Sequence, residues 1–221
     1  MRVKNIMIKS IAVLFAAIFF TACTKDSIRG SGSTLTETRS VAPFTGVQLE
    51  GSGDVTVVQG AQQKVEVRGY ENLLPIYETY VRNGTLVLRF QDDYNIRNNN
   101  ISVNIVVPTL AGTGINGSGN FTIRNFNGTS LTTEINGSGD VYTENNTYDN
   151  AVLKVNGSGH IRGQQIHAGE ADAQINGSGT IDIFCTQKLK ATIHGSGEIN
   201  YWGNPEGVSV DVSGSGSVRK K

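Results

Sequence analysis

The chain has 221 residues with 19 basic and 19 acidic side chains, so it lacks the basic excess that a nucleic-acid partner requires. Glycine contributes 27 residues while aromatics make up 7%, a balance that suits an architecture of many tight turns rather than one large aromatic core. Only two cysteines occur, Cys23 and Cys185, which excludes a disulfide framework and leaves packing to hold the fold.

Residues 1–22 read as a leader. Arg2, Lys4 and Lys9 form a basic start, Ile11 to Phe20 is an unbroken apolar run, and Thr21-Ala22-Cys23 follows. The run is about half the ~20 residues a membrane span needs, which is the pattern of a cleaved signal peptide. Thr21-Ala22-Cys23 also resembles the lipobox of bacterial lipoproteins, although Phe20 replaces the usual Leu, Val or Ile. That resemblance implies cleavage before Cys23, lipidation of Cys23, and attachment to the membrane through that lipid anchor. Losing residues 1–22 removes three basic and no acidic side chains and leaves a net charge of −3. Residues 23–43 are rich in Ser, Thr and Gly without periodicity, and are expected to be a flexible tether.

Residues 44–110 form a less regular β part. Val47-Gln48-Leu49, Val55 to Val58, Lys64 to Val67, Thr85 to Phe90 and Ile101 to Val107 alternate as strands do. A single helical turn fits Glu71 to Leu74, and Pro108 ends the last strand. Gln91 to Asn100 is polar and Asn-rich and reads as a loop or projecting insertion.

Residues 111–221 carry the strongest signal, an internal repeat. Gly-Ser-Gly begins at 51, 117, 137, 157, 177, 195 and 214, so the later copies are 20, 20, 20, 18 and 19 residues apart. Each copy sits in one frame. An aliphatic residue and a polar residue precede it (Ile115-Asn116, Ile135-Asn136, Val155-Asn156, Ile175-Asn176, Ile193-His194, Val212-Ser213), and aliphatic residues follow. The cassette reads as strand, glycine corner, strand. One such unit cannot bury its own apolar face, but stacked units can. The predicted fold is therefore all-β: a parallel β-helix of about 20-residue rungs, of the right-handed type because no six-residue apolar period is present.

In a stacked fold the chemistry is read down columns. The column before each corner is Glu50, Asn116, Asn136, Asn156, Asn176, His194 and Ser213, and its four successive Asn predict an amide ladder between rungs. The column after it is Asp54, Asn120, Asp140, His160, Thr180, Glu198 and Ser217. Asp140 and His160 would lie one rung apart, about 4.8 Å, with Ser138 and Ser158 in a neighbouring column. That column is Ser at every rung, so the trio is expected to be structural, not a hydrolase triad. Gly-Ser-Gly-Asp occurs only at 51 and 137, too rarely for repeat-wide calcium sites. His160, His167 and His194 lack metal-ligand spacing. Arg124 and Arg162 lie beside strands without a dense Asp cluster, so a lyase chemistry is poorly supported. Cys185, within Ile-Asp-Ile-Phe-Cys, reads as a buried strand residue. No catalytic residue, metal or cofactor is expected.

The Ile-Asn-Gly-Ser-Gly repeats, the start Phe44-Thr45-Gly46-Val47, the Asp54-Val55 after the first corner and the lipoprotein leader together resemble the head GIN domain family, described as auto-transporter adhesins. The resemblance covers about residues 44–218. It implies a β-helix of pectate-lyase-like shape without the lyases' catalytic residues, and a role in adhesion. The expectation is an envelope-anchored, non-enzymatic binding module for glycan or a surface protein, in the outer membrane of a Gram-negative cell. The alternatives are a polysaccharide-active enzyme and a purely structural lipoprotein.

Overall fold

The computed structural model describes residues 26–221. The leader and the lipidation expected at Cys23 lie outside the described residues. Among those described there are nineteen strands and one short 3-10 turn, Leu74–Ile76. The strands are β1 (Asp26–Arg29), β2 (Thr34–Thr38), β3 (Gly46–Gly51), β4 (Asp54–Gln59), β5 (Lys64–Tyr70), β6 (Tyr77–Arg82), β7 (Thr85–Phe90), β8 (Tyr94–Arg97), β9 (Ser102–Val107) and β10 (Gly112–Gly117). They continue with β11 (Asn120–Arg124), β12 (Asn127–Gly137), β13 (Asp140–Glu144), β14 (Asn146–Gly157), β15 (His160–Gly177), β16 (Thr180–Gly195), β17 (Glu198–Trp202), β18 (Gly207–Gly214) and β19 (Ser217–Lys220).

From β10 onward the chain winds a parallel solenoid with rungs of about 20 residues. The strands before the corners stack in the order β3, β10, β12, β14, β15, β16, β18, all parallel. Those after the corners stack as β4, β11, β13, β15, β16, β17, β19. A third side comes from the first residues of β12 and β14 and the middles of β15 and β16. All seven tripeptides align: Gly51, Gly117, Gly137, Gly157, Gly177, Gly195 and Gly214 are successive register partners. The step of 18 arises from two shifts: Gly163 pairs with Ile183 but His167 already pairs with Phe184, so Gln164, Gln165 and Ile166 have no in-register counterparts above them, and one residue is regained where Ala168 pairs with Cys185 but Glu170 with Lys188.

The interior is built of aliphatic columns. Leu49, Ile115, Ile135, Val155, Ile175 and Ile193 form one, and Val55, Phe121, Val141, Ile161, Ile181 and Ile199 another; all are buried. Each such side chain contributes roughly 1.5–3 kcal/mol of burial. The corners need glycine for two separate reasons. Gly137 adopts φ +138, a region L side chains avoid, and a Cβ there would run into the carbonyl oxygen of Gly117 one rung below. At Gly139 a Cβ would meet the Gly119 carbonyl oxygen and the Ile115 side chain.

The part before β10 departs from the expectations in three ways. First, the rungs are not stacked in sequence order. β7 and β9 form a rung beneath β3 and β4, and β10 then returns to lie on the other side of β3. Second, antiparallel pairs close this end, with β5 between β2 and β9, and β6 against β7. Leu73, Leu74 and Tyr77 are buried beneath them. Third, the tether expected over residues 23–43 contains two strands, because β1 pairs with β8 and β2 with β5. The projecting insertion expected over Gln91–Asn100 accordingly contains a strand, β8, pinned by Asn98 Nδ2 to Gly30 O at 2.8 Å and by Asn99 Nδ2 to Ser52 O at 2.9 Å.

Candidate binding face

Between Asn116 and Asn176 the column before the corners is a continuous chain of side-chain hydrogen bonds. Asn136 donates to Asn116 at 3.0 Å, Asn156 to Asn136 at 2.8 Å, and Asn176 to Asn156 at 2.8 Å. Glu134 accepts from both Asn136 and Asn156 at 3.2 Å. The predicted amide ladder is thus present. Its acidic start has a cause that repeat-reading missed. Glu50 is the register partner of Arg89, whose guanidinium lies 3.5 Å from Glu50, 2.9 Å from Glu78 and 2.7 Å from Asp92. Arg89 precedes no Gly-Ser-Gly, so no repeat marks it. Asp92 first, and then Glu78, hold its guanidinium well above its ordinary value.

A second ladder runs along the corner after Arg124. Asn125 and Asn145 adopt left-handed φ of +62 and +51, and Asn145 Nδ2 donates to Asn125 Oδ1 at 3.1 Å. Beside it the fully buried Asn146 donates to Ile123 O and accepts from Phe126 N–H, both at 3.0 Å. Asn146 therefore satisfies two backbone groups that the turn would otherwise strand.

The column after the corners does not assemble a catalytic set. Asn120 Nδ2 donates to Asp54 at 2.9 Å. Asp140 lies 3.2 Å from Arg162 Nη1 and accepts from the Tyr142 hydroxyl at 3.4 Å, while Arg162 also stacks 4.7 Å from the Tyr142 ring centroid. Asp140 is thereby committed to Arg162, not to His160. Arg124 is paired with Glu144 at 2.9 Å. The Ser138 and Ser158 amides serve the corners, donating to Gly117 O and Gly137 O at 3.0 Å. Among the described residues no group of three or more His, Cys, Asp or Glu is placed to hold a metal. Cys185 is fully buried, its Sγ donates to Lys188 O at 3.1 Å, and burial pushes the thiol above its ordinary value.

One further column faces outward where β15, β16 and β17 turn away from the corner strands. His167 pairs with Phe184 and Phe184 with Trp202 in register. The His167 and Phe184 ring centroids are 4.6 Å apart at an interplanar angle of 48°. His167 is exposed, and Phe184 and Trp202 are half-buried. Two residues earlier on the same face, Asp182 accepts from Gln164 at 2.9 Å and from Asn200 at 3.0 Å, while Asn200 Oδ1 has no hydrogen-bond partner. The repeat period hides this column, because the residues lost between Gly163 and His167 put Phe184 17 residues after its partner instead of 20.

A family described as "Putative auto-transporter adhesin, head GIN domain" matches residues 43–149 and again 113–205. The overlap reflects a repeat that fits its own pattern in more than one frame. A "putative adhesin" from Bacteroides fragilis has a similar crystal structure, with 23% identity, covering 88% of this chain and 100% of that one, at a TM-score of 0.71. A "putative lipid binding protein" from Parabacteroides distasonis is 26% identical over 89% of this chain and 100% of its own, at 0.57. A "putative adhesin" from Parabacteroides merdae is 21% identical over 89% and 99%, at 0.54. No curated protein sequence matches the chain.

Proposed function

This chain belongs to the head GIN domain family of auto-transporter adhesins, and on that footing we propose that it is a non-enzymatic binding module of the cell envelope. It is held there through a lipid on Cys23, and its outer face takes an extended glycan. The observation that supports this reading is the column His167, Phe184 and Trp202 beside Asp182 and the exposed Gln164 that donates to it. A sugar ring offers a face of C–H groups and a rim of hydroxyls. Aromatic faces suit the first, and side-chain amides and carboxylates suit the second. Adjacent rungs repeat the arrangement about every 4.8 Å, so a polymer can engage several at once and weak contacts add. On the strands after the corners Arg124, Arg162 and Arg219 are already paired with carboxylates, whereas the aromatic column has ring faces to give.

The test is binding of the full chain to a glycan array, with Phe184→Ala and Trp202→Ala compared with Asp172→Ala on another face. The two aromatic variants should lose at least about tenfold in affinity, and Asp172→Ala should lose nothing. Protease shaving of intact cells should remove the domain, since adhesion requires the outer surface. An array with no bound glycan, together with normal attachment by cells lacking the protein, would count against the proposal.

A further inference from the structure

The two ends of the solenoid differ. The end beneath β7 and β9 is closed by the antiparallel strands, whereas β18 and β19 pair on one side only among the described residues. Val208, Val210 and Val212 continue the interior columns above Leu189, Ala191 and Ile193, yet they are 44%, 51% and 38% exposed. They make three of the five exposed large hydrophobic residues in the described chain. An open strand edge with an apolar stripe is a template for another strand. Beside it a groove of about 510 Å³ runs down past Val208, Leu189, Ala171 and Ala151.

We infer that this end is an interface with a second copy of the same chain, formed about a two-fold axis through Val210 and perpendicular to the solenoid. Two features select this occupant. In an antiparallel pairing centred on Val210, Val208 faces Val212 of the partner, and Asp211 faces a Ser209 hydroxyl rather than a second carboxylate. The strand β19 also carries excess positive charge, since Arg219 and Lys221 share the single carboxylate of Glu198 at 3.1 and 3.9 Å. The exposed Glu206, just before β18, makes no ion pair among the described residues although Lys188 lies near it, and the two-fold brings it toward the partner's β19 cations. A head-to-tail stack is disfavoured because the far end buries its own apolar residues. Each copy contributes a rung of about 20 residues, at the lower bound of a standard interface. The dimer places two aromatic columns on one particle, so a polymeric ligand is held at two points.

The mass of the full chain in solution tests this, by sedimentation equilibrium up to about 100 μM. The wild type should be dimeric. Val210→Lys, which sets two charges face to face on the axis, should be monomeric and should melt where the wild type melts when diluted to monomer. Glu206→Lys should weaken the dimer about tenfold. As a readout independent of Val210→Lys folding, Val210→Cys in a Cys23→Ser chain should oxidise to a disulfide dimer, because only a residue on the axis meets itself. Ser217→Cys in the same chain should not. A monomeric wild type overturns the inference, as does a dimer that ignores Val210→Lys and leaves Val210→Cys reduced. A monomer whose β18 amides still exchange slowly overturns it too, by assigning the edge to another part of the chain.

Discussion

Between Asn127 and Lys220 each rung rests on the rung that precedes it in sequence, while between Asp26 and Gly117 the rungs rest on partners reached by long excursions. The same cross-section is produced in both regions. In the first, one cassette is reused, so the corner backbone, the amide ladder and the aliphatic columns recur with it. In the second, each role is filled by a different residue: Arg89 and Glu50 replace two rungs of the amide column, and antiparallel β5 and β6 close the end. A repeat grows by stacking on itself but cannot finish itself, so the closing end has to abandon the pattern.

Corner glycines give the sharpest test of that contrast. Gly137→Val has to overcome both a positive φ and the Gly117 carbonyl beneath it, so a loss of about 4 kcal/mol or more is expected. Gly51→Val has the positive φ alone, because nothing lies within 4 Å of its Cβ direction, and should cost about 1–3 kcal/mol. Denaturant midpoints would read both, and equal losses would refute the stacked-corner account. Asp140→Ala, which only loosens a half-exposed ion pair, should fall below either, at about 0.2–1 kcal/mol.

Replacing Asn146 by Leu strands the Ile123 carbonyl and the Phe126 amide and should cost about 2–4 kcal/mol by thermal melting. Asn156→Ala removes a rung of the exposed amide ladder, where water can step in, and should cost about 1 kcal/mol.

The two buried phenols should part company. Tyr148 donates its hydroxyl to Leu110 O at 3.0 Å, so Tyr148→Phe should cost about 1 kcal/mol. Tyr77, beside Phe90 in the closing part, has a buried hydroxyl with no partner, so Tyr77→Phe should be neutral or stabilising.

The smallest effect is on pH. Burial raises the Cys185 thiol and both phenols above their ordinary values. All three are neutral in the fold and ionise more readily once unfolded. Their contribution is therefore intact below the unfolded-state values, about 8.5 for the thiol and about 10 for the phenols, and is lost as the pH rises past them. The melting temperature should fall between about pH 8 and about pH 9.5 in the wild type and fall less in Cys185→Ala.

Much of the regular region was legible because its information is local. Ile135, Asn136, Gly137 and Gly139 sit within five residues, and their recurrence states at once the corner, the ladder and the buried column. Where the period slips, legibility fails. His167, Phe184 and Trp202 form a column only because of the residues without counterparts after Gly163, and no spacing rule aligns them beforehand. Arg89 is opaque for a related reason, since its carboxylate partners come from three separate segments.

The sequence by itself determined the repeat unit, the glycine corners, the residues that fill the interior and the Asn that link the rungs. These follow from side-chain chemistry within a single rung and from the period at which rungs recur. Only the tertiary structure decided that β7 and β9 lie beneath β3 and β4, that residues 26–29 and 34–38 are strands, and which outward columns carry rings. Those outcomes depend on backbone pairings between distant segments, and backbone hydrogen bonds are the same for every residue, so no local pattern records the choice of partner.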